Sequence, residues 1–193
     1  SHGDEPGAVE QALARTENRI RTLVGKHIFG EGRATMEEAV AQLLERHDTT
    51  IATAESCTGG MTGSMLTNVP GISRFYLGGI ICYGNEAKVE LLGVPPEVIR
   101  SQGAVSDDVA RALAEGARKR LGSNMGIGVT GIAGPSGGSP DKPVGLVYIA
   151  VADDDGTESR EFRFSGDRRT IRLRTALTAL NMTRRRLMAQ GQG

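Results

Sequence analysis

Histidine, cysteine and tryptophan are scarce in this sequence, and each scarcity narrows the chemistry that the chain can support. There is no tryptophan, and two cysteines are too few for a disulfide framework, so reduced thiols are expected at Cys57 and Cys82. All three histidines precede Asp48, which leaves the rest of the chain without an imidazole. Only scattered carboxylates remain as ligands, so no metal site is expected.

Long apolar runs and an excess of one charge are also absent. The 23 basic and 23 acidic side chains balance, so the overall charge favours neither nucleic acid nor a membrane as a partner. No apolar run approaches the length of a membrane-spanning helix, and no signal peptide is recognisable. With 193 residues, 38% of them hydrophobic, the chain is expected to be a cytoplasmic globular protein with one principal domain.

Glycine, in contrast, is abundant. Many of the 27 glycines gather at residues 59–63, 78–84 and 126–138 rather than spreading evenly. This clustering indicates backbone positions that need a positive φ or a close approach to a ligand.

The alternation of apolar strands with amphipathic helices predicts an α/β fold. We expect a three-layer α/β/α sandwich with a mostly parallel sheet of about five strands and one antiparallel hairpin, whose turn is Asp153-Asp-Asp-Gly156. Residues 35–190 are expected to form this domain. Residues 1–34 are predicted to be an N-terminal helical extension or the remnant of a longer protein's linker.

Ser56 lies at a predicted turn between a buried strand and a helix. Such a turn presents the backbone N–H groups of a helix start, where negative charge is favoured. A nucleophile beside ready-made oxyanion donors is what acyl-transfer chemistry requires. The alternative is an ordinary helix start, with Ser56 or Thr58 as its cap. The spacing alone does not decide between these interpretations.

Residues Gly126-Ile-Gly-Val-Thr-Gly131 match the G-x-G-x-x-G spacing of dinucleotide-binding loops, but the context differs. Such a loop follows a strand and opens a helix. Here the motif lies within a predicted strand, and the segment that follows, Pro135 to Pro143, cannot form a helix. No Gly-Lys pair is followed by serine or threonine, so a P-loop is absent as well. We therefore expect no cofactor.

Without histidine, a serine nucleophile needs another base, and a lysine that can be neutral is one alternative. Three of the four lysines, Lys26, Lys119 and Lys142, lie in an N-terminal segment, a charged run and a polar loop. Lys88 instead lies in the first turn of a helix predicted to be capped by Asn85. There the helix dipole opposes positive charge and should lower the pKa of the amine, as a general base requires.

Two interpretations of this segment remain open. In the first, Lys88 is the base, and Tyr83 at the preceding strand end orients it or relays a proton. In the second, Lys88 is a solvated side chain that pairs with Glu86 or Glu90, and Tyr83 is an ordinary residue at the edge of the sheet.

Two further segments are candidates for binding an anion. The loop Gly131–Gly138 offers many unobstructed N–H groups, which suit an anion or an oxyanion. Arg168 and Arg169 lie at the predicted start of the last helix, where the helix dipole disfavours cations, so they indicate an anionic partner such as a phosphate. The simpler alternatives are a plain surface loop and salt bridges to Asp167.

Five segments together resemble the CinA C-terminal domain family. They are Ala54-Glu-Ser-Cys-Thr-Gly-Gly60, Tyr83-Gly-Asn-Glu-Ala-Lys88, Gly103-Ala-Val-Ser106, Gly128-Val-Thr-Gly-Ile-Ala-Gly-Pro135 and Ser165-Gly-Asp-Arg168. The resemblance covers about residues 35–188. It implies an α/β/α domain that hydrolyses nicotinamide mononucleotide to nicotinate mononucleotide and ammonia, within pyridine nucleotide salvage. Some family members carry an additional N-terminal domain related to molybdopterin-binding proteins, and residues 8–32 resemble the tail of such a region.

The resemblance also implies roles for individual residues. Ser56 attacks the carboxamide carbon, Lys88 takes its proton and returns one to the leaving ammonia, and Tyr83 supports Lys88. Two further assignments are our own inference and not part of the resemblance. Backbone N–H groups near Cys57 to Gly60 are expected to hold the oxyanion, and the loop 131–138 or Arg168 is expected to hold the 5′-phosphate. The candidate binding residues are Cys57, Thr58, Gly59, Gly60, Thr130, Gly131, Ala133, Gly134 and Arg168.

Two other functions stay open. The same enzyme class could use Cys57 as its nucleophile, since unrelated amidases use a thiolate. The domain could also be a non-catalytic module that binds a nucleotide or a partner, linked to competence or DNA damage as the family name suggests. The expected partners are a small nucleotide and further copies of the chain in a symmetric homo-oligomer; nucleic acid and membrane are not expected.

Overall fold

The computed structural model describes residues 6–190, without the side chains of Pro6 and Lys26. It comprises two compact units that divide between Thr35 and Met36. The first contains helix α1 (Pro6–Val24) and a short 3-10 helix (Gly25–His27). Residues 1–5 of the predicted extension lie outside the described part of the chain.

The second unit contains a sheet and the helices that cover it. Its strands are β1 (Ile51–Glu55), β2 (Tyr76–Ile81), β3 (Met125–Gly131), β4 (Leu146–Asp153) and β5 (Gly156–Arg163). Its α-helices are α2 (Met36–Arg46), α3 (Met61–Thr67), α4 (Asn85–Leu92), α5 (Pro96–Gln102), α6 (Asp107–Leu121) and α7 (Arg168–Gln190). Across residues 6–190, no helix is both long enough and apolar enough to cross a membrane.

The strands form one sheet in the order β2-β1-β3-β4-β5. Strand β1 pairs in parallel with both β2 and β3, whereas β4 is antiparallel to β3 and to β5. Four strands therefore run in one direction, and β4 runs in the other. The predicted mostly parallel sheet with a hairpin between Asp153 and Gly156 is confirmed. The antiparallel pairing of β3 with β4 was not predicted from the sequence.

Helices cover both faces of the sheet, which confirms the predicted three layers. On one face, Leu44 of α2, Leu66 of α3 and Leu180 of α7 belong to the same buried cluster as Ile127 of β3. On the other face, α6 contributes to a second cluster that includes Ala52 and Ala54 of β1. Because side chains alternate along a strand, the two faces of β1 and β3 serve different clusters.

Glycines 126 and 128 of the G-x-G-x-x-G sequence allow α6 to pack directly on the backbone of β3. A methyl group at Gly128 would overlap the carbonyl oxygen of Ala110, and one at Gly126 would overlap that of Ala114. Strand β3 runs through the motif, and the next regular element is β4 rather than a helix. The two glycines thus serve helix–strand packing.

Substituting alanine for Gly128 is expected to lower the free energy of unfolding by about 1–3 kcal/mol, the usual cost of overpacking a core. The reason is that the clash is with the backbone of α6, which cannot move aside as a side chain can. Chemical denaturation would measure the change. Gly25→Ala is a suitable control, since its new methyl group meets no heavy atom within 4 Å. An unchanged denaturation midpoint for Gly128→Ala would contradict this account.

Candidate active site

Strands β1, β2 and β3 are parallel, and their carboxyl ends lie side by side. Most of the predicted site residues follow these strand ends. Strand β1 ends at Glu55, which is in register with Ile81 of β2 and Val129 of β3. The connection from β1 to β2 runs through α3 on one face, and that from β2 to β3 runs through α6 on the other. The strand order therefore reverses beside β1, where open α/β sheets commonly bind ligands.

Ser56 is the first residue after β1 and begins a tight turn into α3. Its N–H donates to the carbonyl oxygen of Val129 over 3.0 Å, so β3 fixes the start of the turn. Gly59 and Gly60 complete the turn with φ of +59° and +92°, in the left-handed region that favours glycine. Ser56 itself is largely buried, with 8% of its surface exposed.

The carboxylate of Glu55 holds the beginning of α3 against the end of β1. Glu55 is fully buried, and its two oxygens accept N–H groups from Gly60 at 3.1 Å, Thr62 at 3.0 Å and Gly63 at 2.8 Å. A carboxylate at a helix N-terminus is favoured by the helix dipole and satisfies donors that have no partner within the helix. Glu55 is therefore an anchor of the serine turn, a role that the sequence interpretation missed.

These contacts reduce the set of N–H groups that can bind an oxyanion. The N–H of Gly59 donates to the carbonyl oxygen of Ser56, and that of Gly60 donates to Glu55. Gly59 and Gly60 are thus removed from the predicted donors, because they are engaged within the turn. No main-chain oxygen of the described residues accepts the N–H groups of Cys57 and Thr58. Both interact with the sulfur of Cys57, which is only a weak acceptor, and these two remain as candidates.

The thiol of Cys57 is a poor candidate for the nucleophile. Burial raises its pKa to about 12, and the smaller opposing effects of the Cys57 and Thr58 N–H groups and of Arg172 do not overcome this. The thiolate is the nucleophilic form of cysteine, and reactive cysteines have a lowered pKa. The environment of Cys57 therefore favours a structural thiol over a catalytic one.

Lys88 is fully buried in α4, with 1% of its surface exposed. Its amine donates to the carbonyl oxygens of Cys82 at 2.8 Å, Tyr83 at 3.1 Å and Gly84 at 3.3 Å. No carboxylate of the described residues lies within ion-pair distance of it. The alternative of a solvated lysine paired with a glutamate is therefore wrong.

The pKa of the Lys88 amine is lowered, as expected, but for a different reason. Its main cause is burial, and neighbouring groups, Cys82 foremost, oppose the shift only in part. Asn85 was expected to cap this helix. It is instead the first helical residue, with Gly84 at the cap position and no side-chain cap. Removing the charged amine from water disfavours its protonated form, which is the direction a general base requires.

Lys88 and Ser56 are positioned by neighbouring strand ends. The N–H of Cys82 donates to the carbonyl oxygen of Glu55 over 2.9 Å, so Cys82 lies beside the residue that precedes Ser56. The carbonyl oxygen of Cys82 in turn accepts the Lys88 amine. Adjacent strands lie about 4.8 Å apart, and the amine and the serine turn therefore lie at neighbouring strand ends.

Tyr83 contacts Lys88 through its main-chain oxygen, while its side chain turns to another residue. The side chain is exposed, and its hydroxyl accepts a hydrogen bond from Arg168 at 3.0 Å. A second nitrogen of Arg168 donates to the carbonyl oxygen of Gly134 at 2.7 Å. Arg168 thus joins the end of β2 to the loop Gly131–Gly138. Asp167 accepts the N–H of Thr170 at the start of α7, and the described ion pairs do not include one between Asp167 and Arg168.

The remaining predicted residues support the loop after β3. The hydroxyl of Thr130 donates to the carbonyl oxygen of Ala104 over 2.7 Å, Ala133 is buried, and Gly131 packs tightly against Val147 of β4. The amine of Lys142 donates to the carbonyl oxygen of Val105 at 2.6 Å. Within the part of the chain that the structure describes, no three histidine, cysteine or acidic residues are arranged to hold a metal ion.

Arg172 of α7 is a site residue that the sequence interpretation did not identify. Its Nε donates to the carbonyl oxygen of Cys57 at 3.1 Å, and its Nη2 donates to that of Thr58 at 2.6 Å. It lies four residues after Arg168, one helical turn along the same face. The four-residue spacing of Arg168 and Arg172 could have pointed to Arg172 as a site residue. It does not indicate which loop Arg172 contacts.

The fold is an α/β/α domain with a serine turn and a buried lysine at neighbouring strand ends. The family model of the CinA C-terminal domain matches residues 33–187, and the chain belongs to this family. Two of its relatives are CinA-like proteins. The one from Dictyoglomus thermophilum is 44% identical over 97% of this chain and 46% of its own length, and the one from Geobacter sulfurreducens is 50% identical over 88% and 41%. The chain thus spans a little under half the length of these relatives.

Solved structures agree with this assignment. The competence/damage inducible protein CihA from Agrobacterium tumefaciens superposes with a TM-score of 0.74 at 38% identity, covering 84% of this chain and all of the other. A CinA superfamily protein from Klebsiella pneumoniae superposes with a TM-score of 0.77 at 28% identity, covering 81% of this chain and 99% of its own.

Proposed function

We propose that the domain hydrolyses the carboxamide of nicotinamide mononucleotide and releases nicotinate mononucleotide and ammonia. The observation that carries this proposal is the buried amine of Lys88, which has a lowered pKa and lies at the strand end next to the Ser56 turn. A serine and a lysine at neighbouring strand ends, in a region of the chain without histidine, fit the Ser-Lys variant of nucleophilic catalysis.

In the proposed reaction the hydroxyl oxygen of Ser56 attacks the carboxamide carbon, and its proton passes to the neutral amine of Lys88. The N–H groups of Cys57 and Thr58 stabilise the oxyanion of the tetrahedral intermediate. The intermediate then breaks its C–N bond, and the Lys88 ammonium gives its proton to the departing ammonia. Water attacks the resulting ester of Ser56, loses a proton to Lys88, and releases the nicotinate product as the serine is protonated again.

The experiment that tests the proposal measures ammonia release during incubation of the protein with nicotinamide mononucleotide. Turnover that converts the nucleotide to its carboxylate supports it. A protein that binds the nucleotide without releasing ammonia would contradict it.

A second function, a non-catalytic module that binds a nucleotide or a partner, is favoured by one observation. The three carbonyl oxygens around Lys88 match the three N–H donors of an ammonium group, so the lysine could serve as a structural cation. Calorimetry beside the ammonia assay separates the two functions, because tight nucleotide binding without turnover supports the second.

Arg168 is proposed to bind the 5′-phosphate of the substrate. Arg168→Ala is expected to raise KM for nicotinamide mononucleotide by roughly 10–100-fold, as the loss of a charge-assisted hydrogen bond of about 1.5–3 kcal/mol implies. Nicotinamide riboside has the same carboxamide but no phosphate, so its kcat/KM should not change. Steady-state kinetics with both substrates measure the difference, with Arg174→Ala on the same helix as a control. An equal loss for both substrates would show that Arg168 acts on the loop and not on the phosphate.

A further inference from the structure

Arg172 and Glu55 hold the serine turn through different backbone groups. The carboxylate of Glu55 accepts N–H groups at the start of α3, while the guanidinium of Arg172 donates to two successive carbonyl oxygens of the turn, those of Cys57 and Thr58. Arg172 is half-buried, and no described carboxylate lies within ion-pair distance of it. The carbonyl oxygens of Cys57 and Thr58 are the acceptors of its guanidinium in the described part of the chain.

The contact with Cys57 reaches the atoms that the proposed reaction uses. The carbonyl of Cys57 and the N–H of Thr58 belong to one peptide group, and hydrogen bonds along a chain polarise one another. A positively charged donor on that carbonyl makes the Thr58 N–H a stronger donor. No main-chain oxygen of the described residues accepts this N–H. It interacts with the sulfur of Cys57, which is a weak acceptor, so an oxyanion would be its strong acceptor.

A planar guanidinium suits this position better than an ammonium would. Nε and Nη2 lie in one plane at a fixed separation, so a single side chain can fix two adjacent carbonyl groups. The resulting hydrogen bonds, of 3.1 Å and 2.6 Å, cross 115 and 114 positions of the chain. The C-terminal helix α7 thereby sets the geometry of a turn that follows β1.

We infer that Arg172 is a positioning residue for this reaction, which aligns and polarises the Cys57–Thr58 peptide so that the Thr58 N–H stabilises the oxyanion. The inference rests on the proposed amidohydrolase function. It assigns Arg172 no contact with the substrate, so its effect should fall on kcat and not on KM.

The test compares Arg172→Lys and Arg172→Ala with the unmodified protein, using nicotinamide mononucleotide. We expect kcat to fall roughly 10–100-fold, less than the 10²–10³-fold that loss of a whole oxyanion donor costs, with KM within about twofold. Added guanidinium ion should restore part of the kcat of Arg172→Ala. Arg185→Lys makes the same change at an exposed position of α7 and is expected to leave kcat, KM and the melting temperature unchanged.

Other outcomes would overturn the inference. A raised KM with an unchanged kcat would make Arg172 a substrate-binding residue. A large drop in melting temperature in both variants, or no rescue by guanidinium ion, would make its role merely structural.

A second readout separates this inference from the proposed function. A fluorophosphonate that labels Ser56 needs the same oxyanion donors but no nucleotide. If the unmodified protein releases no ammonia, the proposed function fails, yet slower labelling of Arg172→Lys would still support the role of Arg172. Equal labelling rates, or no labelling of Ser56 in the unmodified protein, would overturn the inference.

Discussion

Ser56→Ala is expected to lower kcat for ammonia release by on the order of 10⁴-fold or more, the range found when a serine hydrolase loses its nucleophile. Its binding of nicotinamide mononucleotide should change little, because the turn is held by backbone contacts of Ser56 and by Glu55 and Arg172. Alanine keeps those backbone contacts and removes only the hydroxyl. Steady-state kinetics and calorimetry on the same preparation measure the two effects separately.

Two matched variants make this result specific. Ser64→Ala removes an exposed hydroxyl from the adjoining helix α3 and should leave kcat unchanged. Cys57→Ala tests the competing thiol mechanism, and it should retain most of the activity because burial raises the pKa of that thiol to about 12. Activity that survives in Ser56→Ala and disappears in Cys57→Ala would reverse the assignment of the nucleophile.

The elements of the fold could be predicted because their signals are local. The hairpin between Asp153 and Gly156 follows from its turn residues, and the strand before Ser56 follows from its small and β-branched composition. The strand order is different, since it depends on which strands pair across long stretches of chain. The pairing of β1 with both β2 and β3 has no local signal.

The candidate site also has some residues with a local sequence signal and others whose contacts are long-range. Ser56 and Lys88 stand out because each has an unusual local context, a serine in a glycine-rich turn and a lysine at a helix start. The contacts of Arg172 with the turn and of Arg168 with Tyr83 cross 114 and 85 positions respectively. Their partners depend on how α7 packs against the sheet, and a single sequence does not contain that information.

The roles of Glu55 and Lys88 depend on surroundings that only the folded structure shows. Glu55 is part of the recognised motif, yet its role as an anchor becomes clear only from the structure, where its oxygens accept three N–H groups at the start of α3. For Lys88, the sequence predicted the direction of the pKa shift from the helix dipole, but the amine is buried and burial is the main cause of the lowered pKa. The predicted direction of the Lys88 pKa shift was therefore correct, but the physical reason given for it was incomplete.

Lys88→Met is expected to lower kcat by roughly 10²–10⁴-fold, the usual contribution of a general acid or base. Methionine fills a similar space but can neither take the proton from Ser56 nor return one to ammonia. Lys88→Arg should be equally inactive, because a guanidinium stays protonated throughout the accessible pH range. Lys119→Met makes the same change at an exposed position and should retain full activity.

The dependence of kcat/KM on pH also tests whether Lys88 is the general base. Only the neutral amine of Lys88 accepts a proton, so kcat/KM of the unmodified protein should rise with pH and level off above the pKa of that amine. Since burial lowers this pKa, the midpoint should lie below the usual lysine value of about 10.4. Lys119→Met should keep the profile, whereas any residual activity of Lys88→Met should lose the rising limb. A rising limb with the same midpoint in Lys88→Met would show that another group titrates, and Lys88 would then be the structural cation that its three carbonyl partners also allow.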